Sequence, residues 1–84
     1  MTSDSDTATV ARRVRMVLGS VLQVAEADLP DEPATHNLRR WDSLHHMMLM
    51  LALEGEFGLR IEPEATPSLT SAAAIEAHIN GRAG

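Results

Sequence analysis

Hydrophobic and polar residues follow a helical period over most of this chain. Apolar side chains recur every three or four positions in three segments, and this spacing places them on one face of an α-helix. No segment alternates apolar and polar residues in the manner of a half-buried strand. The pattern therefore predicts an all-α fold, a small bundle of three main helices and one short helix, with a long loop after the first helix.

The first predicted helix has apolar residues along one face. Its start is predicted near Asp6 or Thr7, because either side chain can accept hydrogen bonds as an N-cap, and its end near Val24. This apolar face comprises Val10, Val14, Val17, Leu18 and Val21. Valines are mediocre helix formers, so tertiary packing must hold this helix in place.

The last predicted helix is also marked by its caps and its apolar positions. Thr70 or Ser71 caps its start, and Asn80-Gly81 is predicted to end it. Its buried residues are predicted to be Ala72, Ile75 and Ile79. Residues 1–6 and 82–84 are predicted to be flexible tails around one domain, residues 7–81.

Two connections join the predicted helices. Residues 25–41 form a long loop with two prolines, which Leu29 and Leu38 are expected to pin to the bundle. A loop of this length is unusual in a small domain and is either functional or needed to cross the bundle. After the second helix, Pro63 opens a short turn that ends at Pro67 and is predicted to be a fourth, short helix.

The second helix, from Ser43 to Phe57, is apolar on two sides. At about 100° per residue, one face runs along the whole helix and is predicted to line the core or an internal cleft. That face, with the link that follows, comprises His46, Leu49, Met50, Leu53, Phe57 and Ile61. The opposite face covers only the first two turns and comprises Leu44, Met47, Met48 and Leu51. We expect this second face to be an exposed partner surface unless the last helix or the long loop covers it.

Composition and charge narrow the class of function. A chain of 84 residues can form one small core, with little room for a deep active site. The net charge is −5, which disfavours nucleic acid as a ligand. Cysteine is absent, so disulfides and thiolate sites are excluded. Residues 1–9 are polar and acidic, so no signal peptide is expected, and the longest apolar run has seven residues, too few for a membrane span. A cytoplasmic location is predicted.

Asp42-Ser43-Leu44 is the segment that most invites chemistry. Asp42 stands where an N-cap belongs, and Ser43 would be the first helical residue with its hydroxyl pointing outward. The partial positive charge of a helix N-terminus favours an anion, such as a phosphodiester on Ser43. Taken alone, these three residues are equally compatible with an ordinary helix cap.

The wider context of these residues resembles the acyl carrier protein family. The matching segments are 41–44 (Trp-Asp-Ser-Leu), 50–54 (Met-Leu-Ala-Leu-Glu), 56–61 (Glu-Phe-Gly-Leu-Arg-Ile), 63–64 (Pro-Glu) and 79–81 (Ile-Asn-Gly). They occur in the order and register of the family pattern, and the resemblance spans roughly residues 7–81. Three-letter motifs occur by chance, whereas this ordered set is much more specific.

The resemblance implies a four-helix carrier fold and a role without catalysis. Ser43 would carry a 4'-phosphopantetheine arm, added from coenzyme A by a phosphopantetheinyl transferase, within the Asp42-Ser43-Leu44 motif. The arm would hold acyl groups as thioesters for partner enzymes such as an acyltransferase, a ketosynthase or an adenylating ligase. The protein is expected to be a monomer. The expected partner surface is Trp41, Leu44, His45, Met47, Met48, Leu51 and Glu54.

Departures from the family pattern bear on the pathway. Peptidyl carriers usually have Gly-Gly-x before the serine, and residues 40–42 are Arg-Trp-Asp here, which favours an acyl carrier. Fatty-acid carriers show a strongly acidic second helix, and the matching positions here are His45, Met48 and Gly55. We therefore expect a discrete carrier of a polyketide or related specialised pathway, with fatty-acid and aminoacyl or peptidyl carriers as alternatives.

Three alternatives to a carrier fit the sequence less well. A serine hydrolase could use Ser43 with His46, but no oriented carboxylate or oxyanion hole is evident in the sequence. Metal binding is not expected, because the four histidines lack the i, i+4 spacing of a helical zinc pair. The strongest rival is a carrier-like interaction module that is never pantetheinylated. Such a module would have no need for a serine at position 43.

Overall fold

The computed structural model describes the backbone of residues 3–83 and the side chains of residues 9–81. This part of the chain forms three α-helices, α1 (Ser3–Leu22), α2 (Ser43–Phe57) and α3 (Ala72–Ala83). Two single-turn 3-10 helices, Glu26–Asp28 and Thr66–Ser68, lie in the connections. Because residues 3–83 contain no β-strand, the prediction of an all-α fold is confirmed. None of the described helices combines the length and the apolar character needed to cross a membrane.

Helix α1 begins at Ser3, earlier than the predicted start at Asp6 or Thr7; Met1 and Thr2 lie outside the described residues. Its end at Leu22 comes two residues before the predicted one. Gln23 there adopts a left-handed backbone with φ of 56°. The Val24 N–H then donates to the carbonyl of Gly19 at 3.0 Å. This reversal satisfies a carbonyl group that the helix end leaves free, which is the geometry of a Schellman motif.

Helix α2 has both of its predicted ends. The Asp42 carboxylate accepts a hydrogen bond from the His45 N–H at 2.9 Å, which is the N-cap interaction. At the other end Gly58 adopts a left-handed backbone with φ of 63°. Its N–H donates to the carbonyl of Glu54 at 2.9 Å. The prediction of a helix from Ser43 to Phe57 is confirmed.

Helix α3 has its predicted start and a different end. Ser71 Oγ accepts a hydrogen bond from the Ala74 N–H at 3.0 Å, which caps the first turn. The helix continues through Asn80-Gly81 to Ala83, so the predicted end at residues 80–81 is wrong. The physical reason is that Gly81 keeps a helical backbone instead of the left-handed one that would stop the helix. Gly84, the end of the second predicted tail, lies outside the described residues.

The hydrophobic core lies between the three helices. Helix α1 packs against both α2 and α3. The fully buried side chains come from all three helices; the largest aliphatic ones are Leu18, Leu22, Leu49, Leu53 and Ile75. Ala72 and Ile79 are also buried, as predicted for the last helix. Burying these groups is the main favourable contribution to folding.

The connection between α1 and α2, residues 23–42, includes the predicted long loop and is held in place by contacts with the rest of the bundle. Leu29 and Leu38 are buried in the core, as predicted. Arg15 of α1 donates from a guanidinium N–H to the carbonyl of Pro30 at 2.9 Å. An isolated backbone bridge joins Ala34 to Ser71, at the start of α3. The loop therefore crosses from the end of α1 to the start of α3 before it enters α2.

The short turn before α3 differs from the prediction in position and type. The sequence predicts a fourth, short helix that opens at Pro63 and ends at Pro67. The structure has a turn over residues 63–65 and a 3-10 helix at Thr66–Ser68, with Pro67 inside that helix. Proline fits there because the first turn of a helix needs no N–H donor.

Candidate functional site

Ser43 is the first residue of α2, and its side chain is exposed. Its hydroxyl group makes no hydrogen bond to any described residue. An exposed hydroxyl without a partner is open to an incoming reagent. Among the described residues, no basic side chain is hydrogen-bonded to this hydroxyl group in the way that the base of a serine nucleophile is.

Asp42 holds the backbone immediately before this serine. Its carboxylate oxygen Oδ1 accepts from the His45 N–H at 2.9 Å and lies 2.8 Å from His45 Nδ1. These bonds, the backbone bond first and the side-chain bond second, lower the pKa of Asp42 below its ordinary value. Asp42 is therefore ionised at neutral pH and fixes the first turn of α2.

The start of α2 can also accommodate an anion. Asp42 satisfies the N–H of His45, whereas the N–H groups of Ser43 and Leu44 have no partner within the described part of the chain. Free N–H groups at a helix start point outward and carry partial positive charge. A phosphodiester on Ser43 would lie next to these groups, so the residues present fit such a modification.

His46 joins three parts of the molecule. The Trp41 Nε1–H donates to His46 Nδ1 at 2.9 Å, and the two rings stack with centroids 6.1 Å apart. Because Nδ1 accepts this bond, the proton of a neutral His46 is on Nε2, which donates to the carbonyl of Thr66 at 2.8 Å. Both ring nitrogens are thus engaged, and His46 has no free lone pair with which to take a proton from Ser43.

Trp41 corrects one sequence-based prediction. We expected it on the partner surface, but its side chain is only 4% exposed. The indole ring packs in the hydrophobic core, and its N–H is satisfied by His46. A tryptophan in this position is more favourable inside, because its large apolar ring is buried and its one donor has a partner.

A small cleft opens beside Ser43. Its volume is about 270 Å³. The lining residues come from the long loop, the start of α2 and the segment before α3: Thr35, Trp41, Asp42, Ser43, His46, Pro67 and Thr70. No pattern in the sequence predicts Thr35, Pro67 or Thr70 as residues of this cleft, because only the fold brings these loop residues to the start of α2.

The second face of α2 is uncovered, as predicted. We call Leu44, Met47, Met48 and Leu51 the apolar stripe. All four side chains are exposed, and neither the long loop nor α3 covers them. Exposed apolar side chains that are grouped on one helix face are a mark of a binding surface.

Two other residues of the expected partner surface have partners within the chain. The carboxylate of Glu54 accepts a hydrogen bond from the Ile61 N–H at 2.7 Å, and the side chain is only partly exposed. His45 is also partly exposed and lies against Asp42. Glu54 therefore holds the segment after α2 against the helix, in addition to any role that it has at the surface.

The predicted core face of α2 is confirmed for its aliphatic residues. Leu49, Met50, Leu53 and Ile61 are buried, whereas His46 and Phe57 are only partly buried. Phe57 packs against the core and also forms a cation–π contact with Arg13. The central carbon of the guanidinium group lies 4.4 Å from the ring centroid. Sequence reasoning missed this contact, because Arg13 is 44 residues away from Phe57 in the chain.

No group of three or more potential metal ligands occurs among the residues that the structure describes. A comparison of the sequence with models of known protein families finds no match.

Proposed function

We propose that this chain is an acyl carrier protein, with a 4'-phosphopantetheine arm attached to Ser43. The observation that carries the proposal is the exposed, unpartnered hydroxyl of Ser43 at the first position of a capped helix. The Asp42-Ser43-Leu44 motif and the matching segments between residues 50 and 64 support it. The apolar stripe, on the same helix, adds a surface for partner enzymes.

The attachment step requires little from this chain beyond access and position. Ser43 Oγ attacks the phosphorus of coenzyme A that bears the pantetheine unit, and a phosphorus–oxygen bond forms. The bond from that phosphorus to the bridging oxygen breaks, adenosine bisphosphate leaves, and the serine proton passes to a base of the transferase. Asp42 fixes the backbone of the first turn, and so the place from which Ser43 extends, and the free N–H groups of that turn favour the resulting anion.

The arm supplies a terminal thiol that holds the acyl group as a thioester. The chain's own residues present this arm and are recognised by the enzymes that load, extend and unload it. Neither His45 nor His46 forms a hydrogen bond to Ser43, and both ring nitrogens of His46 are engaged in other hydrogen bonds. We therefore propose a carrier without catalytic activity of its own, as opposed to a serine hydrolase.

The pathway and partners belong to the same proposal. A phosphopantetheinyl transferase adds the arm, and an acyltransferase, a ketosynthase or an adenylating ligase uses it. Fatty-acid carriers present acidic residues where this chain has His45, Met48 and Gly55. This difference favours a polyketide or related specialised pathway over a fatty-acid carrier.

The test is the intact mass of the protein after incubation with coenzyme A and a broad-specificity phosphopantetheinyl transferase. Wild type should gain one phosphopantetheine unit, and Ser43→Ala should gain none. Ser68→Ala is a matched control, because Ser68 is also exposed but lies in the 3-10 helix of residues 66–68. This control should be modified as fully as wild type.

The apolar stripe alone also favours a second function, a helical interaction module that is never pantetheinylated. In that case folded wild-type protein would gain no mass with two different transferases. Ser43→Ala would then support the pathway in cells as well as wild type does, whereas a carrier with this substitution would not support it at all.

A further inference from the structure

The exposed apolar residues of this protein are concentrated beside Ser43. Among the described residues, five large apolar side chains are strongly exposed, and four of them form the apolar stripe. Their exposed fractions are 63% for Leu44, 65% for Met47, 46% for Met48 and 68% for Leu51. The fifth, Met16, lies on α1. Such a distribution differs from the scattered exposure of single apolar residues that needs no explanation.

The stripe is aligned with the modification site. Its residues are spaced at i, i+3, i+4 and i+7, so they form one continuous band along two turns of α2. The band begins at Leu44, the residue after Ser43. An enzyme whose active site reaches Ser43 Oγ must also cover the first turns of α2, where the stripe lies.

The carboxylates of α2 are directed into contacts within the molecule. Glu56 forms an ion pair with Arg13, with 2.9 Å between Oε2 and Nε. Glu54 accepts the Ile61 N–H at 2.7 Å. Asp42, before the helix, is bonded to the backbone and ring of His45. None of these carboxylates lies in the stripe. This face of α2 therefore has no row of free acidic groups to which a basic surface of a partner could bind.

A groove borders the stripe and adds shape to it. Its volume is about 340 Å³, and its walls are mostly apolar: Met47, Met50, Leu51, Ile61, Pro63 and Thr66, with Glu54 at one side. Met47 and Leu51 belong to both the stripe and the groove. A concave apolar site next to a convex apolar band can receive a protruding apolar side chain of a partner.

We infer that the phosphopantetheinyl transferase acting on Ser43 binds this chain through an apolar surface complementary to the stripe, and that charge contributes little to this recognition. The inference rests on the proposed function and specifies the chemistry of its partner. Methionine suits such a surface, because its flexible side chain adapts to the shape of the partner. Association by apolar contact should be nearly independent of salt, unlike association steered by opposite charges.

The experiment measures kcat/KM for pantetheinylation of the full chain by a broad-specificity transferase. Rates are compared for wild type and Met48→Glu at ionic strengths of about 0.1 M and about 1 M, between which the Debye length falls from about 10 Å to about 3 Å. Taking the ratio of variant to wild type cancels the effect of salt on the transferase itself. Met16→Glu is the matched control, because it places the same charge on an exposed methionine outside the stripe.

The expected result is a fall in kcat/KM for Met48→Glu of about 5- to 30-fold at both ionic strengths, the size of one interface contact worth one or two kcal/mol. Met16→Glu should stay within about 2-fold of wild type, well below that loss. A faster rate for Met48→Glu at low ionic strength that disappears at high ionic strength would overturn the inference, because it would reveal a basic partner surface. An unchanged rate would overturn it too.

Two further outcomes are distinguishable. If no variant gains mass under any condition, the proposed function itself fails, whereas modification at rates insensitive to the stripe leaves the function intact and removes only this inference. The stripe could instead be buried between two copies of this chain. Analytical ultracentrifugation should show a monomer for wild type; a dimer that Met48→Glu dissociates would contradict the inference.

Discussion

The two histidines after Ser43 have different partners, although they are adjacent in the sequence. His45 lies at the exposed start of α2 with its Nδ1 2.8 Å from Asp42 Oδ1. His46 joins the buried Trp41 to the carbonyl of Thr66. At the scale of single residues, the first histidine belongs to the helix cap and the second holds the 3-10 helix of residues 66–68 against α2.

Replacing His46 by alanine should destabilise the fold. The substitution leaves the indole N–H of Trp41, which is 4% exposed, without an acceptor. We expect a loss of about 1–3 kcal/mol in the free energy of unfolding, the usual cost of an unsatisfied buried donor. Urea denaturation followed by circular dichroism measures this loss. His36→Ala, at an exposed position, should stay within about 0.5 kcal/mol of wild type. Equal losses of stability for both variants would rule out a stabilising role for the hydrogen bond between Trp41 and His46.

The cap at Asp42 predicts a pH dependence of stability. Its lowered pKa means that folding favours the ionised carboxylate, so its stabilising contribution is complete above the ordinary value of 3.8. That contribution is lost as the pH falls through the lowered pKa of the folded state. Asp42→Ala should therefore have a lower unfolding midpoint than wild type at about pH 7, and the difference should shrink towards about pH 3.

Thermal unfolding followed by circular dichroism checks the prediction for Asp42. Asp31→Ala is the control, because it removes an exposed aspartate that caps no helix. This variant should show little difference from wild type at either pH. A difference for Asp42→Ala that stays constant from neutral to acid pH would show that the carboxylate charge plays no part in the cap.

At the scale of single elements, one glycine within α2 and one glycine directly after it have opposite roles. Gly55 lies within the helix, and Gly58 follows it in the left-handed conformation with φ of 63°. Apart from the adjacent backbone, a Cβ atom added at either position would meet no atom within 4 Å. Backbone conformation alone therefore distinguishes the two sites.

The same substitution should change stability in opposite directions at these glycines. Gly55→Ala should stabilise the protein by about 1 kcal/mol, the difference in helix propensity between the two residues. Gly58→Ala should destabilise it by about 1–2 kcal/mol, because the left-handed conformation is unfavourable for a residue with a Cβ atom. Chemical denaturation of both variants gives the two values. A change in the free energy of unfolding that has the same sign for both variants would contradict the assigned end of α2.

The ends of α2 could be predicted from sequence because local signals determine them. An aspartate N-cap and a following glycine act within one turn of the backbone, and both work here as expected. The end of α1 lacks such a signal, since Gln23 adopts a left-handed backbone that glycine would normally supply. At the end of α3 the glycine is present, at Gly81, but it stays helical.

The candidate site was predictable only in part, and for a related reason. Ser43, Asp42 and the apolar stripe follow from the motif and the helical period of one segment. The burial of Trp41 and the bond from Ile61 to Glu54 do not, because they depend on how the links fold back on α2. Contacts between distant segments, such as Arg13 with Glu56, leave no period in the sequence.

At the scale of the whole molecule, α1 is the central element. It packs against both α2 and α3, and its Leu18 and Leu22 are fully buried. The apolar stripe of α2 faces away from this core and contributes little to folding. The core face of α2 therefore stabilises the fold, whereas the proposed partner recognition belongs to the opposite face, so we expect that either can be changed without the other.

Two leucine substitutions should separate these roles. Leu18→Ala should reduce the free energy of unfolding by about 2–5 kcal/mol, through lost burial and the cavity that remains. Leu51→Ala, in the stripe and 68% exposed, should change it by no more than about 0.5 kcal/mol. Urea denaturation provides both numbers. A large loss for Leu51→Ala would mean that the stripe is covered in the folded protein.

The measurement that tests the central claim most directly is the mass and fragmentation pattern of the protein isolated from the cells that produce it. The account predicts a 4'-phosphopantetheine group on the peptide that contains Ser43, with an acyl group on the arm in part of the population. Treatment with hydroxylamine should remove the acyl group and leave the arm attached. Folded protein from those cells with an unmodified Ser43 throughout would contradict the account.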